Sequence, residues 1–143
     1  MDKRTRGEFI DRLENSWQKL VERFDALSSD EQAAFLAQQG YARLADLLAH
    51  VFAWWQDGAK EISLMRADPG HPLREYEVDE FNARAVEQVS GVSPEAMVQV
   101  YKTQWQSMVD LVNGLSEDEL NQHNINMRLF YEIIQHWAEH EVI

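Results

Sequence analysis

Two histidines stand four residues apart in the stretch His136-Trp137-Ala138-Glu139-His140. Residues i and i+4 share a helix face, with Cβ atoms about 5–6 Å apart. Both imidazoles can therefore turn one ring nitrogen toward a single ion, and imidazole suits Zn, Ni, Cu or Fe. Two ligands make a weak site, so a third has to come from another helix. His50 is the candidate. It sits in the apolar run Leu47-Leu48-Ala49-His50-Val51-Phe52-Ala53-Trp54-Trp55, where a buried imidazole needs a polar partner. Three neutral histidines with a fourth position open form a catalytic type of zinc site rather than a closed structural one. The same residues admit a plainer reading. His140 lies in the last turn, where a cation complements the helix dipole, and His50 can be a core histidine bonded to a carbonyl.

Other groups carry less. Asp57 lies seven residues after His50 on the same helix face and could orient a ligand or act as a base; as an acid beside Lys60 it does neither. In His136-Trp137-Ala138-Glu139-His140 the glutamate precedes the second histidine, so it leaves the face of the pair, and a His-Glu-x-x-His protease is excluded. His71 and His123 fall in stretches read as solvated loops. Trp54, Trp55 and Trp105 read as core, and Glu75, Glu77, Asp79 and Glu80 as a solvated charge run. No glycine-rich phosphate loop and no nucleophile–base spacing is found.

The 143-residue chain fits one domain, drawn over 1–143. At 45% hydrophobic residues, with five Trp and six Phe, it can bury a core. A net charge of −12 excludes a nonspecific phosphate binder, so direct nucleic-acid binding is not expected. There is no cysteine, hence no disulfide framework, thiolate site or Cys nucleophile. The charged start lacks a signal-like apolar stretch, and no apolar run reaches membrane-spanning length. The expectation is a cytoplasmic protein without a membrane partner.

Positioning the histidines requires helices. Apolar residues recur at spacings of three and four almost throughout. One stripe from about Thr5 to Leu27 carries Phe9, Leu13, Trp17, Leu20 and Phe24. Ser28 with Glu31 reads as a capping box, and the short helix behind it stops at Gly40. A second long helix runs from about Arg43 to Met65, with Gly58 marking close packing. Ala67 to Pro72 is a break, followed by a loop to about Val78. A third helix starts at Asp79 and ends at Ser90-Gly91. Ser93-Pro94-Glu95 opens another, through Leu115. Ser116 caps a short turn, Asn121 to Asn126 reads as a polar loop, and the final helix begins near Met127. The fold class is all-α, and its simplest architecture is a four-helix bundle.

Taken together, these segments resemble the DinB/YfiT-like superfamily, and within it the ClbS/DfsB-type branch. The likeness rests on the striped first helix, on Leu44 to Trp55 with its central His50, on Asp79-Glu80-Phe81-Asn82-Ala83, and on the closing His136 to His140 motif. It implies up-down-down-up connectivity with a long crossover between the second and third long helices. It also implies a divalent metal (Zn or Ni) held by His50, His136 and His140, with Asn82 facing the same cavity. Relatives of this type include thiol-dependent transferases and isomerases, and proteins that open a reactive electrophile. The function implied is a hydrolase or thiol S-transferase acting on an electrophilic small molecule, with a low-molecular-weight thiol as possible cofactor. Asp57 and Asn82 are the catalytic candidates. The alternative is a bundle that only binds a small molecule or dimerises. A homodimer is expected either way, since His140 in a closing turn needs packing or a second subunit to hold it.

Overall fold

The computed structural model describes residues 3–141, so the domain drawn over 1–143 includes four residues, 1, 2, 142 and 143, outside the described ones. Every regular element among the described residues is helical. The chain forms α1 (Arg6–Asn15), a 3₁₀ turn (Trp17–Lys19), α2 (Leu20–Asp25), α3 (Ser29–Gln39), α4 (Leu44–Ala67), α5 (Val78–Gln88), α6 (Pro94–Gly114), α7 (Glu117–Asn121) and α8 (His123–Leu129). Without interruption, α8 passes through a π-helical segment (Phe130–Gln135) into α9 (His136–His140). No described helix is long and apolar enough to cross a membrane.

The starts and stops follow local chemistry. Thr5 with Glu8, Ser28 with Glu31, and Ser116 with Glu119 form capping boxes. Ser93 caps α6 ahead of Pro94. Gly40 ends α3 at φ 83°, a left-handed conformation that glycine adopts without a Cβ clash.

The long elements bury one continuous core. Phe9, Leu13, Trp17 and Leu20 come from the first stretch, Leu47, Leu48, Val51, Trp55, Ile62 and Met65 from α4, Tyr101, Met108 and Val112 from α6, and Leu129, Ile133 and Trp137 from the last stretch. Trp17 sits at its centre, edge-on to Trp55 at 5.1 Å and to Trp137 at 5.0 Å.

Two boundaries differ from the sequence reading. The expected helix from Thr5 to Leu27 breaks at Ser16. The Trp17 carbonyl accepts a tight 3₁₀ bond from the Leu20 amide and a second bond from the Tyr101 hydroxyl (2.7 Å), and the Trp17 indole donates to the Ile133 carbonyl (2.8 Å). Two tertiary bonds to one fully buried residue outweigh the local preference for a straight helix. The expected loop from Asn121 to Asn126 is helical from His123 onward. Asn124 and Asn126 are polar but buried. Asn126 donates to the carbonyls of Leu120 and Arg4 and accepts from the Arg4 amide, and Asn124 donates to the carbonyls of Pro69 and His71. His71, read as solvated, is half-buried with Nε2 3.2 Å from buried Glu61.

Gly58 marks where α4 meets the last stretch. A Cβ there would stand 3.1 Å from Glu132 Cγ. The absence of a side chain lets the π segment lie against α4.

Candidate metal centre

His50 hangs from the middle of α4, and His136 and His140 from successive turns of α9. All three are buried, with 6%, 7% and 6% of their surface exposed. One ligand nitrogen from each lies within 4.8 Å of the others. His50 Nε2 stands 3.0 Å from His140 Nε2 and 3.1 Å from His136 Nε2.

The neighbours set which nitrogen carries the proton. Trp54 Nε1 can only donate, and it points at Asn82 Oδ1 from 2.7 Å. The amide oxygen therefore faces this side, and His50 Nδ1, 2.9 Å from the same atom, donates to it. That leaves His50 Nε2 as a bare lone pair. The Gln39 amide oxygen faces His140 Nδ1 at 2.5 Å, which fixes the same tautomer there. Burial, more than any other cause, pushes the imidazole pKa of His50 down to about 4 and that of His140 to about 3, and holds His136 well below the ordinary value. Neutral rings are the form that binds metal. Two lone pairs 3.0 Å apart repel unless a cation lies between them.

The donor set fits a divalent metal of the Zn or Ni kind. Imidazole nitrogens bound at about 2.0–2.1 Å in a tetrahedral shell stand roughly 3.3 Å apart, close to the two separations seen here. Each of two rings also has a carbonyl oxygen behind it, the arrangement that orients metal-ligating histidines.

The register of α9 depends on the π segment. The His136 amide bonds to the Tyr131 carbonyl, five residues back, instead of four. Two indoles donate to carbonyls of this segment. Trp17 Nε1 donates to the Ile133 carbonyl at 2.8 Å and Trp55 Nε1 to the Glu132 carbonyl at 3.3 Å.

A family model of the DinB superfamily matches residues 12–143. The chain belongs to the DinB superfamily. Searches of the curated proteins and of the solved structures give no significant match. The DinB assignment carries the fold relationship and agrees with a metal-binding histidine cluster.

In this DinB chain a cleft of about 290 Å³ opens over His50 and His136. Trp54, Val78 and Tyr131 supply its apolar surface, and Glu132 and Glu139 its acids. Asn82 lines it as well as holding His50. Asp57 is half-buried and is not part of the cleft lining; it enters a polar network instead. Its Oδ2 accepts from the Tyr76 hydroxyl and, at 3.1 Å, from Arg128, while Arg74 stands 3.6 Å from Oδ1. Arg128 also donates to Tyr76 (2.6 Å) and to Glu132 Oε1 (3.0 Å).

Gln39 and Glu132 were missed from sequence. Nothing in the local pattern marks Gln39, which meets His140 across 101 positions. Glu132 did carry a signal. Arg128, Glu132, His136 and His140 recur every four residues, a buried polar stripe along one helix.

Proposed function

We propose that this DinB chain is a metal-dependent hydrolase or thiol S-transferase acting on an electrophilic small molecule, with Zn or Ni as the metal. The observation that carries the reading is the convergence of three buried neutral imidazoles, two of which, His50 and His140, have tautomers that leave lone pairs facing one another. His50, His136 and His140 hold the ion in this reading, and Asn82 and Gln39 orient two of them. A bound divalent metal supplies Lewis acidity and activates a water or thiol nucleophile.

The residues around it do the rest. Trp54 walls the cleft and excludes water from one side of His50. Glu132, its carboxyl pushed by burial up to about 8, exchanges a proton with a nucleophile or leaving group near neutral pH. Asp57 acts at a distance in this reading, by fixing the Arg128 guanidinium that Glu132 rests on.

The ClbS/DfsB-type branch, the up-down-down-up four-helix bundle, a thiol cofactor, a homodimer and a cytoplasmic location belong to the same proposal. Four long helical stretches and the crossover between α4 and α5 support the bundle. A second reading, a binding module without turnover, is favoured by the large apolar residues left exposed at the cleft, Val78 at 52% and Tyr131 at 41%.

The test is elemental analysis of the purified chain. About one equivalent of Zn or Ni per chain, lost in His136→Ala with helical content intact, is the expected result. No metal after Zn and Ni are added back overturns the metal reading and leaves the binding module. Turnover of electrophile probes separates the two where metal is present.

A further inference from the structure

Tyr76 lies in the crossover, residues 68–77 between α4 and α5, which carries no helix of its own. Its hydroxyl is fixed from two other elements. It donates to Asp57 Oδ2 on α4 and accepts from Arg128 Nη1 on α8 at 2.6 Å. The ring is held as well, with the guanidinium carbons of Arg74 and Arg128 at 4.9 and 5.2 Å from its centroid. It meets Trp54 edge-on, centroids 4.9 Å apart, and Trp54 in turn packs on Phe81 of α5 at 4.0 Å. Trp54 thus rests on one ring from α5 and one from the crossover. Its indole N–H is the group that turns the Asn82 oxygen toward His50.

That orientation has a competitor. An Asn82 carboxamide turned over would offer N–H to His50 Nδ1 and leave the ring's proton on Nε2. In the absence of a metal, that proton would lie between His50 Nε2 and His140 Nε2, 3.0 Å apart. A hydrogen bond would replace the repulsion of two lone pairs, so the flipped state is locally favourable. It also puts a proton where the ion has to sit. What opposes it is Trp54 Nε1, a donor that cannot accept, and Trp54 opposes it only while it is held in place.

We propose that Tyr76 is a positioning residue of the metal centre: from the crossover it holds Trp54, and through Trp54 and Asn82 it keeps the proton of His50 on Nδ1. This deepens the proposed function and rests on it for the ion alone. Asp57 and Arg128 reach the site by the same route, as the anchors of the Tyr76 hydroxyl.

Tyr76→Leu removes the ring and its anchor, and Tyr76→Phe the anchor alone. Each is made in the full chain and again in Asn82→Asp, whose carboxylate accepts from His50 and Trp54 whichever way it turns. Zn affinity is measured by competition with a chelator. The His50 tautomer is read in the chelated chain at neutral pH, from long-range proton–nitrogen correlation spectra. In the parent, Tyr76→Leu is expected to lower Zn affinity about tenfold, as a competent tautomer cut to about one part in ten would, and Tyr76→Phe about fivefold. The His50 proton moves to Nε2 in both. In Asn82→Asp neither substitution changes affinity by more than about twofold, and the proton stays on Nδ1. A His50 tautomer unchanged by Tyr76→Leu, or an affinity loss as large in Asn82→Asp as in the parent, overturns the proposal, since a merely structural role for Tyr76 would not depend on Asn82. Where Tyr76→Leu fails to fold, Tyr76→Phe decides by the same two criteria. The two readings fail separately. In a chain that takes no Zn, the tautomer spectra alone decide the role of Tyr76. A Zn-loaded chain indifferent to Tyr76 keeps the metal reading and loses this one.

Discussion

Trp54 and His50 share one acceptor, the Asn82 amide oxygen, at 2.7 and 2.9 Å. Because the indole cannot accept, this shared oxygen decides the orientation of the amide and, through it, which nitrogen of His50 is left bare. A residue of α5 thus sets the chemistry of a ring on α4.

Replacing Asn82 should therefore weaken metal binding without touching a ligand. Asn82→Leu is expected to lower affinity by about 10–100-fold, the usual effect of losing the group behind a ligating histidine. Asn82→Asp, which keeps an acceptor for both donors, should bind as well as the parent or better. Competition with a chromophoric chelator measures both. Equal affinity in all three proteins would show that Asn82 does not govern His50.

The metal-stripped chain should lose stability as pH falls. His50 and His140 have folded pKa values depressed to about 4 and about 3, against about 6.5 when unfolded. Below about pH 6.5 the unfolded chain takes up protons that the folded one refuses. Stability is thus intact above that value and declines toward pH 4 for His50 and pH 3 for His140. Each histidine contributes a slope of about 1.4 kcal/mol per pH unit. Urea midpoints followed from neutral to acid pH give the slope, and added Zn should raise the midpoint without moving the onset, which the unfolded histidines set. A midpoint flat down to about pH 5 would contradict the buried neutral rings.

Gly58→Val should destabilise the fold. The first new carbon alone would lie 3.1 Å from Glu132 Cγ and 3.5 Å from Arg128 Nε. The rest of the side chain has to push the π segment off α4. Overpacking of this kind costs about 1–3 kcal/mol, visible as a lower urea midpoint at unchanged m-value. A midpoint equal to that of the parent would mean that the two helices part freely there.

Trp17→Phe should cost more than its lost volume. It removes the indole donor from the Ile133 carbonyl, a loss of about 1–3 kcal/mol on its own. Metal affinity should fall with it, because Ile133 lies in the segment that positions His136. Thermal unfolding and chelator competition on the same variant test the coupling. A stability loss with unchanged metal affinity would separate the π segment from the site.

Much of this molecule could be read in advance, and the exceptions share a cause. The apolar setting of His50 and the four-residue spacing of His136 and His140 are local patterns, and the structure brings the three rings together. Gln39 was invisible because what holds it at the site is a contact between the end of α3 and α9. The polar run from Asn121 to Asn126 misled for the same reason. Composition reports polarity, and polarity predicts exposure only when no distant backbone supplies partners, as Arg4, Pro69 and His71 do here. The break at Ser16 is likewise a tertiary effect, two bonds on Trp17 overriding a helical stripe.

The π segment has a consequence of a different kind. Two of the three imidazoles are placed by residue count as much as by side-chain identity. A change that let the six residues from Phe130 to Gln135 relax to ordinary α-helix, with none deleted, would be locally favourable, and each would then turn further about the axis than it does in a π turn. It would also swing everything beyond it by about 100° around the axis, carrying His136 and His140 off the face that meets His50. A chain relaxed in that way would be well folded and yet have its two ligands facing the wrong way.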